Sequence, residues 1–97
     1  MDKAIRAERF KKACNICEYC HSTKATELHH IFSRKSEYIE TVRALCSFCH
    51  RGGGYQERLN IMKVEASAEL IEKYGEVEAR KRAGGRLYFK SMIITLQ

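Results

Sequence analysis

The chain has no proline and no tryptophan in its 97 residues. Without proline, the punctuation of helices and strands falls to glycine, and the six glycines sit in three places: Gly52-Gly53-Gly54, Gly75 and Gly84-Gly85. No apolar run approaches the roughly 20 residues that cross a bilayer, so no membrane-spanning helix is expected. The first residues, Met1-Asp2-Lys3-Ala4-Ile5-Arg6, are charged and lack an apolar stretch, so no signal peptide is expected. No internal repeat or low-complexity segment is present, which argues against a solenoid or a disordered chain. Acidic residues are the minority. Twelve Asp plus Glu against 18 Lys plus Arg give a net charge of +6, and a small basic domain attracts phosphate polyanions.

Chemistry concentrates between Cys17 and His50. Two CxxC pairs, Cys17-Glu18-Tyr19-Cys20 and Cys46-Ser47-Phe48-Cys49, are separated by 25 residues. In a chain expected to work in a reducing cytoplasm, where disulfides do not persist, such pairs point to a metal. Four thiolates close a tetrahedron, which is the structural zinc arrangement and leaves no open position for water. A small domain gains from such a staple, because its own core buries little surface. Cys14 makes a second, overlapping CxxC with Cys17. Cys17 and Cys20 are the preferred ligands, leaving Cys14 as a small buried thiol and His21 as a surface residue. Between the pairs lies a doublet, Leu28-His29-His30-Ile31, and His50 directly follows Cys49. None of these histidines is needed to complete a four-cysteine site. On a strand, neighbours such as His29 and His30 point to opposite faces.

The remainder reads as an α+β chain forming a single domain over 1–97, with a core of about 13–51 and a helical extension over 55–97. Residues 2–13 predict a short basic helix with Asp2 as N-cap. Ile5 and Phe10 anchor it, and Lys3, Arg6, Arg9, Lys11 and Lys12 are its cations, solvated or set against a phosphate backbone. Residues 27–33 predict a short strand, and Tyr38–Leu45 a second that returns antiparallel to it. A short helix follows with Ser47 as its cap, ended by the three glycines. Leu59, Met62, Ala66, Leu70 and Tyr74 recur at helical spacing and predict a helix over 55–74, with Gly75 just past its end. A second helix over 76–83 carries Glu76–Arg80 and Glu78–Arg82 pairs. Residues 86–97 are apolar enough to dock, on the core by preference or on a second copy in a homodimer.

The blocks CEYC at 17–20, LHHI at 28–31 and LCSFCH at 45–50 together resemble the HNH endonucleases, of the small zinc-stapled kind found in phages and prophages. The resemblance covers about residues 13–51. It implies a ββα-metal core, and metal-dependent hydrolysis of DNA phosphodiesters in the cytoplasm, that of a bacterial host if the gene is phage-borne. It further implies that His29 and His50 bind a catalytic divalent metal, Mg2+ or Mn2+ with Zn2+ and Ni2+ as further candidates, and that His30 is the general base. An unligated imidazole with an ordinary pKa of roughly 6.5 suits that role. Arg34, Lys35 and Arg51 lie near enough in sequence to hold backbone phosphates. The chain departs from the family twice. The family asparagine, which orients the loop bearing the base, falls on Thr41, and a further metal-ligand position falls on Gly54. These departures favour an alternative, a non-catalytic zinc module that binds nucleic acid. A zinc-stapled protein-interaction domain is a third reading.

Overall fold

Glycine punctuation and apolar spacing resolve into a small α+β fold in the computed structural model, which describes residues 3–89. In order, the elements are α1 (Lys3–Lys12), β1 (Glu27–His30), a 3-10 turn (Ile39–Thr41), β2 (Val42–Leu45), α2 (Ser47–Arg51) and α3 (Tyr55–Arg82). β1 and β2 pair antiparallel, with Glu27 opposite Leu45, Leu28 opposite Ala44, His29 opposite Arg43 and His30 opposite Val42. None of the helices is long and apolar enough to cross a membrane among the described residues.

The second expected strand is half right. Tyr38–Thr41 is not extended into the sheet, because the Thr41 hydroxyl donates to the Ser36 carbonyl (2.5 Å) and accepts from the Tyr38 amide (3.1 Å), curling the backbone. β2 then begins at Val42 and is buried throughout, Arg43 included. The Arg43 guanidinium is satisfied in place by the carbonyls of Glu40 (3.0 Å) and Val42 (2.8 Å). The first strand likewise ends at His30 and not at Ser33. The cap of α2 is Cys46, not Ser47, since its Sγ accepts the Cys49 amide at 3.4 Å.

α3 contains the break that Gly75 announces. That residue has φ 80° and ψ 163°, which no helix accommodates, so the 55–74 and 76–82 stretches are separate helical rods joined at a kink. Met62, Ala66 and Leu70, spaced by four, form the buried stripe. The pairs Glu69–Lys73 (3.7 Å), Glu76–Arg80 (2.9 Å) and Glu78–Arg82 (3.1 Å) form along α3, and Glu69 and Lys73 also reach Arg43 and Glu40.

Two apolar clusters result. Cys17, Ile31, Leu45, Cys46, Cys49, Met62 and Ala66 form the first, and Leu70, Ala79, Ala83 and Leu87 the second, with Phe32 packed against both. Leu87 is 2% exposed, and the Tyr88 amide donates to Ser67 Oγ at 2.9 Å. The described part of the C-terminal segment therefore docks on the core. Met92, Ile93, Ile94 and Leu96 lie outside the described residues, as does Asp2, the expected cap of α1.

α1 is anchored differently from expectation. Lys3, Arg6, Lys11 and Lys12 are exposed, but Arg9 is 5% exposed. Its guanidinium forks onto Glu18 (2.9 and 2.6 Å) and donates to the Ile39 carbonyl (2.9 Å). Glu18 Oε2 also accepts the Ala44 amide at 2.7 Å, so one carboxylate joins α1, the first cysteine loop and β2. Removing one partner of a buried pair strands the other, so Glu18→Ala is expected to cost about 3 kcal/mol in urea unfolding; a wild-type midpoint would show the pair to be idle.

Candidate metal and histidine site

The first cysteine pair sits on a tight loop closed by the Ile16–Lys24 bridge and by Cys17 N–H to Thr23 O at 2.8 Å. The second sits where β2 passes into α2. The Glu18 amide reaches the Ala44 carbonyl at 2.9 Å, laying the loop against β2. Cys17, Cys20, Cys46 and Cys49 consequently place their Sγ atoms within 4.8 Å of one another. Such a set can hold a metal ion. Cys14 is not part of it, and it is not buried: it is exposed, with φ 55°, where the chain turns out of α1. His21 is exposed, as expected of a surface residue.

The four thiols are not equivalent. Hydrogen bonds from the Ser22 amide and hydroxyl lower the Cys20 pKa to about 5, so Cys20 is a ready thiolate. Burial, followed by the neighbouring sulfurs, pushes Cys49 up to about 12. Four thiolates packed this closely repel one another in a buried setting, and a cation among them removes that cost. The donor set thus fits a soft, four-coordinate metal.

A second centre is built on the adjoining surface. Successive residues of β1 leave the strand on opposite sides. His29 meets His50 of α2, with ring centroids 4.8 Å apart, while His30 places Nε2 3.8 Å from Glu37 Oε1. His50 Nδ1 donates to Glu27 Oε1 at 2.5 Å, which leaves its Nε2 as the free nitrogen. Glu27 also accepts from Arg51 Nε at 3.0 Å. Those hydrogen bonds, His50 first and Arg51 next, hold the Glu27 carboxyl below its ordinary range. Burial, then the charges of His50, His30 and Lys63, lower the His29 pKa to about 4, so its imidazole is neutral near pH 7.

His29, His30, His50, Leu28, Ser33 and Arg34 line an open depression of about 300 Å3. Beyond it, His29 and His50 also border a smaller hollow of about 160 Å3 against Tyr55, Leu59 and Met62 of α3. Of the expected phosphate contacts, Arg34 lines the depression, Lys35 is exposed on the same loop, and Arg51 is 70% exposed while bound to Glu27. Thr41 does not reach the depression. It is fully buried behind it, where its hydroxyl ties Ser36 and Tyr38 and its carbonyl accepts the Ile31 amide at 3.0 Å. The hydroxyl donates and accepts at once. Gly54 carries no ligand; with φ 77° it opens α3. Glu27 and Glu37 were not singled out in the sequence. Glu27 had one signal, its position two residues before His29 on one strand face; Glu37 had none, since only the loop's course brings it to His30.

Comparison with protein-family models, curated proteins and solved structures found no match to this chain.

Two outcomes follow from the site. Stripping metal with a strong chelator, or Cys46→Ser, is expected to abolish the cooperative thermal transition and the folded circular-dichroism spectrum, because metal binding and folding are coupled in such domains; a folded, metal-free Cys46→Ser protein would contradict it. With no divalent metal added, the His29 imidazole should titrate near pH 4 by NMR and return to about 6.5 on unfolding. Because the folded pKa of His29 lies below the 6.5 of the free side chain, its contribution to stability is complete above 6.5 and is lost as pH falls towards about 4.

Proposed function

We propose that the protein is a metal-dependent HNH-type endonuclease that hydrolyses DNA phosphodiesters, with β1, β2 and α2 as its ββα-metal core and zinc in the four-cysteine cluster. The observation that carries this reading is the convergence of His29 and His50 from two elements, with His30 one strand position away on the opposite face. Chance surface histidines have no reason to meet across a strand and a helix, nor to gain a carboxylate such as Glu27 on the rear nitrogen of one ring.

His29 and His50 are the residues that would hold the divalent cation. The donor set fits: one imidazole is kept neutral by burial, and the other is oriented by Glu27, the support that metal-bound histidines commonly have. Such a cation supplies charge opposite the phosphate and the leaving oxygen. Two protein ligands leave the rest of the shell to water and phosphate, which suits Mg2+ or Mn2+.

The chain's own residues account for the proton. His30 Nε2 is buried and has no hydrogen-bond partner. A nitrogen in that condition is poised to accept a proton from water, and the Glu37 carboxylate 3.8 Å away offsets the charge then created on the ring. Glu37 covers this nitrogen in the present arrangement, so entry of the phosphodiester shifts the 33–38 loop. Arg34 at the rim of the depression pairs with a flanking phosphate, and Thr41 positions the loop from behind. A specific observation favours the non-catalytic nucleic-acid-binding alternative as well: the position of a further family ligand is Gly54, which has no side chain.

Purified protein is expected to nick supercoiled plasmid with Mg2+ or Mn2+. His30→Ala should abolish nicking while bound zinc per chain stays constant. Thr41→Val, which leaves the Ser36 carbonyl and Tyr38 amide unpaired, should slow nicking by roughly ten-fold or more, as small misplacements of a catalytic group do. A wild type inert with every divalent metal would exclude the nuclease and leave the binding module.

A further inference from the structure

The described cations differ in whether a carboxylate faces them. Arg9, Arg43, Arg51, Lys73, Arg80 and Arg82 each face a carboxylate. Lys63, Arg86 and Arg34 have no carboxylate within ion-pair distance among the described residues. Two of these meet at one aromatic ring. Lys63 Nζ lies 4.8 Å, and Arg86 Cζ 5.0 Å, from the centroid of Tyr88. The ring is held from below by Phe32, 6.2 Å away and nearly parallel, and the Tyr88 backbone is fixed by Ser67.

Both cations lie within about 5 Å of one centroid, so they are at most about 10 Å apart. The ring offsets each charge only weakly, by about 1 kcal/mol at an exposed site. No described carboxylate faces either one, which leaves the pair open to an external anion.

Its location says which. Lys63 follows Met62, which lines the wall of the hollow behind His29 and His50. Phe32, the support of Tyr88, is two residues from His30, and Arg34 two further on lines the depression itself. Through Phe32, the cations on Tyr88 therefore stand next to the loop that leaves the histidine strand.

We propose that Lys63 and Arg86, presented on Tyr88, form a phosphate-binding ridge that leads a DNA strand into the histidine depression, continued at the rim by Arg34. The C-terminal strap through Leu87 is then half of the substrate track as well as a plug for the second apolar cluster. The direction of the track rests on the nuclease reading; the anion site itself does not.

The test is equilibrium binding of a short fluorescein-labelled DNA duplex to the His30→Ala protein by anisotropy, without added divalent metal, over a range of salt. Each phosphate contact contributes about 0.9 to the slope of log K against log salt, so Lys63→Gln with Arg86→Gln should lower the slope by about 1.8 and weaken binding roughly ten-fold or more at moderate salt. Lys63→Arg with Arg86→Lys keeps both charges and should bind like the parent, which separates lost charge from disturbed packing. Lys24→Gln, on the first cysteine loop, should change binding little. A ridge variant with the parent's slope, or an equal loss in the Lys24 variant, overturns the ridge while plasmid nicking can still stand. Ridge-dependent binding by a protein that nicks nothing supports the ridge and removes the nuclease. A parent that does not bind the duplex at low salt overturns both.

Discussion

The four sulfur atoms that meet between the 17–20 loop and the start of α2 are the constraint on which the rest of the structure depends. The first apolar cluster contains seven buried residues, and three of them, Cys17, Cys46 and Cys49, belong to that set. The core and the metal site are thus largely the same object. Ile31, Leu45, Met62 and Ala66 pack on the outside of the sulfurs and have little else to pack on. A two-stranded sheet is marginal alone and needs packing partners, which here are the sulfur cluster and the Met62–Ala66 face of α3. The cluster also ties the loop before β1 to the end of β2, which fixes the strand register from both sides.

Around that centre the chain uses buried arginines where larger proteins use apolar side chains. Arg9 joins α1 to Glu18 and the Ile39 carbonyl. Arg43 closes on the carbonyls of its own strand and turn. Arg58 donates to the carbonyls of Phe48, Cys49, Gly52 and Gly53 at 2.8–3.0 Å, satisfying the orphaned C-terminal end of α2 that a five-residue helix cannot satisfy internally. Its guanidinium also lies 5.1 Å from the Phe48 ring, which in turn packs so closely on Gly52 that a Cβ there would sit 2.4 Å from it. Each arginine fork replaces several apolar contacts with fixed hydrogen bonds, at the cost that no single partner can be removed cheaply.

What the sequence disclosed follows from range. The ligand pairs, the strand of His29 and His30, the Gly75 break and the Met62–Ala66–Leu70 stripe are local patterns, and each emerges where its spacing puts it. The errors are of a different kind. Tyr38–Thr41 has strand-like residues, but a single hydroxyl bond to Ser36 curls it. Arg9 looks like one more surface cation among Lys3, Arg6, Lys11 and Lys12; only Glu18, placed by the cysteine loop, makes it a buried one. Cys14 obeys the CxxC spacing yet lies on a left-handed turn facing solvent. Glu37 beside His30, and Lys63 at the Tyr88 ring, are contacts made only after the chain has turned back on itself, so no local pattern carried them.

One helical turn links the two centres. Cys49 and His50 are consecutive on α2, so the inward side of the turn belongs to the sulfur cluster while the next residue reaches across to His29 and Glu27. The cluster cannot loosen without moving His50, whose partner Glu27 lies opposite Leu45, the residue immediately before Cys46. The chemistry of the two sets keeps them apart despite this closeness: thiolates attract a soft, fully coordinated ion, whereas two imidazoles beside an open depression leave positions for oxygen ligands. In the proposed enzyme the first ion would therefore set the geometry of the second without sharing a ligand. The loop carrying Glu37 is held by hydroxyls and not by sulfur. Thr41 ties that loop from within while Gly84 approaches Ser36 from α3, a contact in which a Cβ would lie 3.2 Å from Ser36 Oγ. Such ties are weaker than a metal staple, so in the proposed enzyme the rigid half of the site would lie on α2 and the yielding half beside His30, where a substrate would enter.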